Sequence, residues 1–144
     1  MVIGSAEKRA QDYLKNAGHI DKEIELNRQL LAQEQKRLQH LSKILQHDLT
    51  QLTSYKEYVH LVENHIKKLQ AERDKALFLI GQVKNEKYRT ILELCYVYGM
   101  TAEAAAEQMH YSTPHFFRLR AEALRIAAKL MEQDKAQGQE QYWR

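Results

Sequence analysis

Along the first half of the chain, apolar residues recur at alternating intervals of three and four: Ala6, Ala10, Tyr13, Ala17, Ile20, Ile24, Leu31, Leu38, Leu41 and Leu45, with Asn27 and Glu34 falling in the same register. That spacing keeps a narrow stripe on one side of a helix, the seam of a coiled coil. It predicts a helix from Ser5 to Thr50, roughly 70 Å long at 1.5 Å per residue, with Gly18 as a soft point. A second stripe runs through Val59, Val62, Ile66, Leu69, Ala76 and Ile80, and Arg73 shares its seam. The intervening "DLTQLTSYKE" holds the Thr and Ser cluster of this half, so the bend is expected at Thr50 to Ser54. Two arrangements are open: an antiparallel hairpin whose helices cover each other's stripe, and a continuous rod that covers its stripe in a dimer. The polar seam residues Asn27, Glu34 and Arg73 lie either where the seam is solvated or drifts, or, for Asn27, where a buried amide fixes register.

At "IGQVKNEKYR" the pattern resets. Gly81 can end one helix and Asn85 start another. From there Tyr88, Ile91, Leu92, Cys95 and Tyr98 are expected on one buried face, and Gly99 stands where a left-handed C′ residue is wanted. Thr101 caps a short helix whose Ala105, Ala106 and Met109 point inward. After the turn at His110 to Ser112, Pro114 suits the first turn of a longer helix, and Thr113, pushed toward the extended conformation, is its expected N-cap with Ser112 as the alternative. In this helix Phe116, Leu119, Ala123, Leu124, Ala127 and Leu130 form the buried face. Pro114, His115, Arg118 and Glu122 lie opposite, flanked by Phe117, Arg120 and Arg125. The expected fold class is all-α. Residues 1–84 form a helical coiled-coil region, 85–131 a helix-turn-helix head, and 132–144 a polar, frayed tail in which Tyr142 and Trp143 can dock.

Such a head points to DNA. A recognition helix places its N-terminal residues against base edges in the major groove while the preceding helix crosses the backbone. His115 and Arg118 are placed to read bases, arginine pairing with guanine O6 and N7. Thr101, Ser112 and Thr113 lie at helix N-termini whose N–H groups suit phosphates. Phe117, Arg120, Glu122 and Arg125 complete the candidate surface.

Residues 88–130 resemble the last conserved helix-turn-helix of the bacterial sigma factors, as reused in phage late-transcription regulators of the ArpU/RinA type. The resemblance rests on "YRTILELCYVYGMT", on "AEQMHYSTPHFFRLRAEAL", and on an N-terminal helical rod containing "AQDYLKNAGHIDKEI". It implies a phage-encoded activator that binds double-stranded DNA and works beside RNA polymerase. Ala105 stands where that family usually carries Ile or Val, and Pro114 where it usually carries a polar or charged residue.

Composition narrows this picture without deciding it. The 144 residues carry a formal charge of +3, one proline, five glycines and one cysteine. That permits one domain with an extended element, permits a nucleic-acid partner, and excludes a disulfide framework within the chain. Residues 85–144 hold eight Lys or Arg against eight Asp or Glu. Head and tail together are therefore neutral, with a local basic strip of Arg118, Arg120, Arg125 and Lys129 opposed by Glu122. Modest affinity per head follows, because phosphate neutralisation supplies most non-specific binding, and a homodimer through the coiled coil or a polymerase partner would supplement it.

The seven histidines lack the i, i+4 pairing with a nearby acid that zinc sites use, so neither a metal nor a cofactor is expected. Cys95 reads as a buried thiol. No phosphate-cradling loop, nucleophile elbow or paired carboxylate suggests an enzyme. The N-terminus lacks a signal-peptide h-region, and the longest apolar run, "ALFLI", is far short of a membrane span, so no membrane partner and a bacterial cytoplasmic location are expected. The alternative function is an adaptor that binds polymerase or another regulator without reading DNA.

Overall fold

The computed structural model describes residues 4–136, with side chains to Asp134. Five α-helices account for nearly all of it: α1 (Ser5–Ile44), α2 (Leu49–Gly81), α3 (Glu86–Leu92), α4 (Ala102–Gln108) and α5 (Thr113–Ala136), with a π-helical turn at Glu93–Val97 continuing α3. The described residues are all-α, and none of their helices is long and apolar enough to cross a membrane. The expected frayed segment from 132 instead continues α5 to Ala136; Tyr142 and Trp143 lie outside the described residues. Contacts divide the chain into a unit of residues 20–71 and a unit of residues 1–19 with 72–144.

In the first of these units, α1 ends six residues earlier than the stripe predicts, and the chain reverses at Leu45 to Asp48 instead of Thr50 to Ser54. The reason is the side chain of Asp48. Its Oδ1 accepts the Gln51 N–H at 3.2 Å, capping α2 and drawing the Thr and Ser cluster into that helix. Ile20 and Ile24 bury against Leu69, and the Tyr55 hydroxyl donates to the Glu34 carboxylate, so α1 and α2 run antiparallel here. Glu34 is only 7 % exposed and also meets Arg37 at 3.6 Å. Asn27 does not bridge the helices: its amide donates to the Glu23 carbonyl one turn back.

The other unit has a broader core. Ala10 and Leu14 of α1 bury with Ala76, Leu79, Ile80 and Val83 at the end of α2, with Leu92 and Tyr96, and with Ala123, Leu124, Ala127 and Ala128 of α5. Here α1 buries Gln11 and Leu14 beside the stripe, because it has neighbours on more than one side and not a single partner helix. Asn85 caps α3 as expected, its Oδ1 accepting from the Lys87 and Tyr88 N–H groups.

The π turn corrects the face expected for 88–98. The Tyr98 N–H reaches back five residues to the Glu93 carbonyl, so one extra residue enters the turn and every later side chain rotates. Leu94 and Tyr96 are buried in place of Tyr98, which is 70 % exposed, and Cys95 is half-buried. Gly99 follows with φ +67°, the left-handed residue that ends the helix.

Gly18 has a purpose that a soft point in a rod does not suggest. A Cβ built there would stand 3.0 Å from the Tyr96 carbonyl oxygen of the π turn, whereas at Gly81 it would meet nothing within 4 Å. Glycine-to-alanine exchange in a helix ordinarily stabilises by about 0.5–1 kcal/mol. Gly81→Ala is expected to raise the thermal midpoint, and Gly18→Ala to lower it or leave it flat, in parallel circular-dichroism melts. In the other unit, Tyr55→Phe takes a hydroxyl from a buried carboxylate and should cost about 1–3 kcal/mol in urea unfolding.

Candidate nucleic-acid interface

Two short helices crossing closely need small residues at the crossing. Ala105 and Ala106 of α4 provide them, fully buried against Phe116 and Leu119 of α5 and Ile91 and Leu94. Thr101 caps α4, its Oγ1 accepting the Ala104 N–H at 3.2 Å. At the other end His110 takes φ +62°, its N–H donates to the Glu107 carbonyl at 3.1 Å, and the Tyr111 N–H donates to the Ala106 carbonyl at 2.9 Å. That pair of bonds is the Schellman ending, here built on a histidine in the position glycine usually fills. It reverses the chain within four residues.

The cap of α5 is Ser112, not Thr113. The Ser112 Oγ accepts the His115 N–H at 3.3 Å, and its carbonyl accepts the Phe116 N–H at 2.9 Å, which makes Thr113 and Pro114 the first two helical residues. Proline is tolerated there because the first-turn N–H groups have no intrahelical acceptor. Phe116, Leu119, Ala123, Leu124 and Ala127 are buried as expected, while Leu130 is half-buried and Ala128 takes a place in the core.

Opposite that face the charges divide into engaged and unengaged. Glu122 accepts from the Tyr88 hydroxyl, and that bond, more than burial, holds the phenol above its ordinary pKa. Arg125 donates from Nε to Glu7 of α1 at 2.9 Å, and this hydrogen bond holds the Glu7 carboxyl below the usual range. Glu132 meets Arg9 at 3.8 Å. Arg120, half-buried, stacks on Phe117 at 4.8 Å and lies close to the Cys95 thiol, which burial pushes up and that arginine partly pulls back. The His115 ring stands edge-on to Tyr111 with centroids 5.1 Å apart.

Arg118 is exposed and has neither an ion pair nor a hydrogen bond from its side chain among the described residues. The structure therefore gathers Ser112, Thr113, His115, Phe117 and Arg118 at the opening of α5, whereas Arg120, Glu122 and Arg125 are drawn toward other helices. Thr101 belongs to α4. Sequence reasoning did not find Glu7 and Tyr88 as partners of this face, since nothing in the spacing links residues 118 or 34 positions apart.

A family model described as a protein of unknown function (DUF1492) matches residues 46–128, from the bend before α2 through most of α5. No curated protein and no solved structure matches the chain.

The capping assignment has a direct test. Ser112→Ala should cost about 1 kcal/mol in chemical denaturation and Thr113→Ala clearly less, and the reverse order would return the cap to Thr113.

Proposed function

We propose that this chain, which belongs to the DUF1492 family, is a sequence-specific DNA-binding transcription regulator that reads the major groove with the first turns of α5. In this reading α4 and α5 are the two helices of a helix-turn-helix head, and α1 with α2 forms a coiled-coil hairpin. The observation that carries the reading is Arg118: an exposed, unengaged guanidinium one turn into a capped helix that follows a tight Schellman reversal. A side chain there can extend to a base edge while the buried face of α5 stays in its core. His115 and Phe117 flank it, and the Ser112 cap fixes where the helix begins.

The resemblance of residues 88–130 to the sigma-like heads of phage late regulators supports the same assignment and adds RNA polymerase as a partner in activation. Because head and tail together are neutral and three of the head's four arginines, Arg89, Arg120 and Arg125, are engaged within the chain, phosphate attraction per head is small. Pairing of two copies would compensate, and a symmetric pair predicts half-sites about 34 Å apart or a multiple of it. One feature favours the adaptor reading instead. Tyr98, exposed beside Gly99, offers an aromatic contact to a protein partner.

Selection of bound sites from a random duplex library at near-physiological salt separates these readings. Wild type should enrich a motif and Arg118→Ala should lose its preference at one or more guanine positions, each worth about 1–3 kcal/mol, while melting at the same temperature. No enrichment by the folded wild type, or the same motif from the variant, would sink the DNA-reading assignment.

A further inference from the structure

Arg125 lies seven residues beyond Arg118 on α5, two turns along the same exposed strip and roughly 10 Å further on. On a helix laid into a groove, that position falls toward a phosphate. Its Nε is already committed to the Glu7 carboxylate at 2.9 Å. Glu7 is the more covered partner, its side chain 14 % exposed against 56 % for Arg125. The first turns of α1 hold it in place: Ala10 and Leu14 are fully buried in the core shared with α5, and Arg9 meets Glu132 two turns past Arg125. A carboxylate and a phosphate present guanidinium with the same planar pair of acceptor oxygens and the same sign of charge.

Resting on the DNA-reading assignment, we infer that Glu7 is an internal stand-in for a DNA phosphate, an autoinhibitory contact that withholds Arg125 from duplex DNA until the N-terminal turns of α1 release it. Arg125 lies within the residues that the family model matches and Glu7 outside them, so the restraint comes from α1 and not from the matched segment. The contact keeps the resting head at low affinity. Anything that displaces the first turns of α1, a protein partner or a high local density of phosphate, adds one guanidinium to the surface.

The test uses the full chain and a labelled random-sequence duplex, titrated across salt concentrations. Glu7→Gln should bind severalfold more tightly than wild type, with a log–log salt slope steeper by about 0.9, the increment for one more phosphate neutralised. Its advantage should then be about threefold larger at 50 mM than at 200 mM salt. The gain should vanish in an Arg125→Ala background, and Glu132→Gln, which removes an equal charge from α5 without freeing an arginine of that helix, should not reproduce it. Should Glu7→Gln melt the first turn of α1, Glu7→Asp keeps a negative charge at the helix N-terminus and should show the same direction with smaller size. Equal or weaker binding by the Glu7 variants, a gain that survives Arg125→Ala, or the same gain from Glu132→Gln would overturn the inference. Failure of wild type to bind duplex at low salt would remove the DNA-reading assignment beneath it, an outcome that the wild-type titration shows by itself.

Discussion

The extra residue in the turn at Glu93–Val97 sets the register on which the neighbouring helices depend. Up to Tyr96 the spacing is that of an α-helix, with Ile91 and Leu94 entering the core shared with α4 and Leu92 and Tyr96 the core shared with α1; past it, with five residues between the Tyr98 N–H and its acceptor, Tyr98 leaves the face of Ile91. A regular α-helix would return Tyr98, seven residues on, to the face of Ile91. The same turn brings the Tyr96 carbonyl close to Gly18, where an added Cβ would stand 3.0 Å from its oxygen. A wide turn is poorer in hydrogen-bond geometry than an α turn and survives when tertiary burial outweighs that loss. Burial of Leu94 alone is worth on the order of 1.5–3 kcal/mol.

Charge on α5 follows a similar logic of competing partners. By composition the helix carries a basic strip, but a guanidinium counts toward a ligand only to the extent that it is not already neutralised. Arg125 has Glu7, Arg120 has the Phe117 ring and the polar side of the π turn, and Arg118 has neither. Ion pairs at a surface contribute about 0–1 kcal/mol to stability, so the Glu7 contact is a weak argument for why the fold holds.

Elements with strong local signals were legible in the sequence. The stripe at Val59, Val62, Ile66, Leu69, Ala76 and Ile80 is buried throughout, and Asn85, Gly99 and Thr101 perform the roles their chemistry indicates. What escaped has a common cause, competition that periodicity does not register. Asp48 won over the Thr and Ser cluster because its carboxylate is the better cap at the right distance from Gln51. The 3.6-residue period turns Tyr98 inward, and the π turn breaks that period before it. Ser112 and Thr113 are both capable caps, and the left-handed His110 decides between them by delivering the chain one residue earlier. Arg118 was legible as exposed; the capture of Arg125 and Glu122 was not, since it depends on Glu7 and Tyr88 from distant segments.

In the unit of residues 20–71 the contact between α1 and α2 turns on one buried carboxylate. A buried carboxylate is costly unless its lone pairs are answered, and Glu34 is answered by a hydroxyl and a guanidinium of its own chain. Shifting either helix by one turn would separate Tyr55 from Glu34 and leave the carboxylate buried with Arg37 alone, which penalises wrong registers more than the bond rewards the right one. Asn27, whose amide is spent within α1, exerts no such penalty.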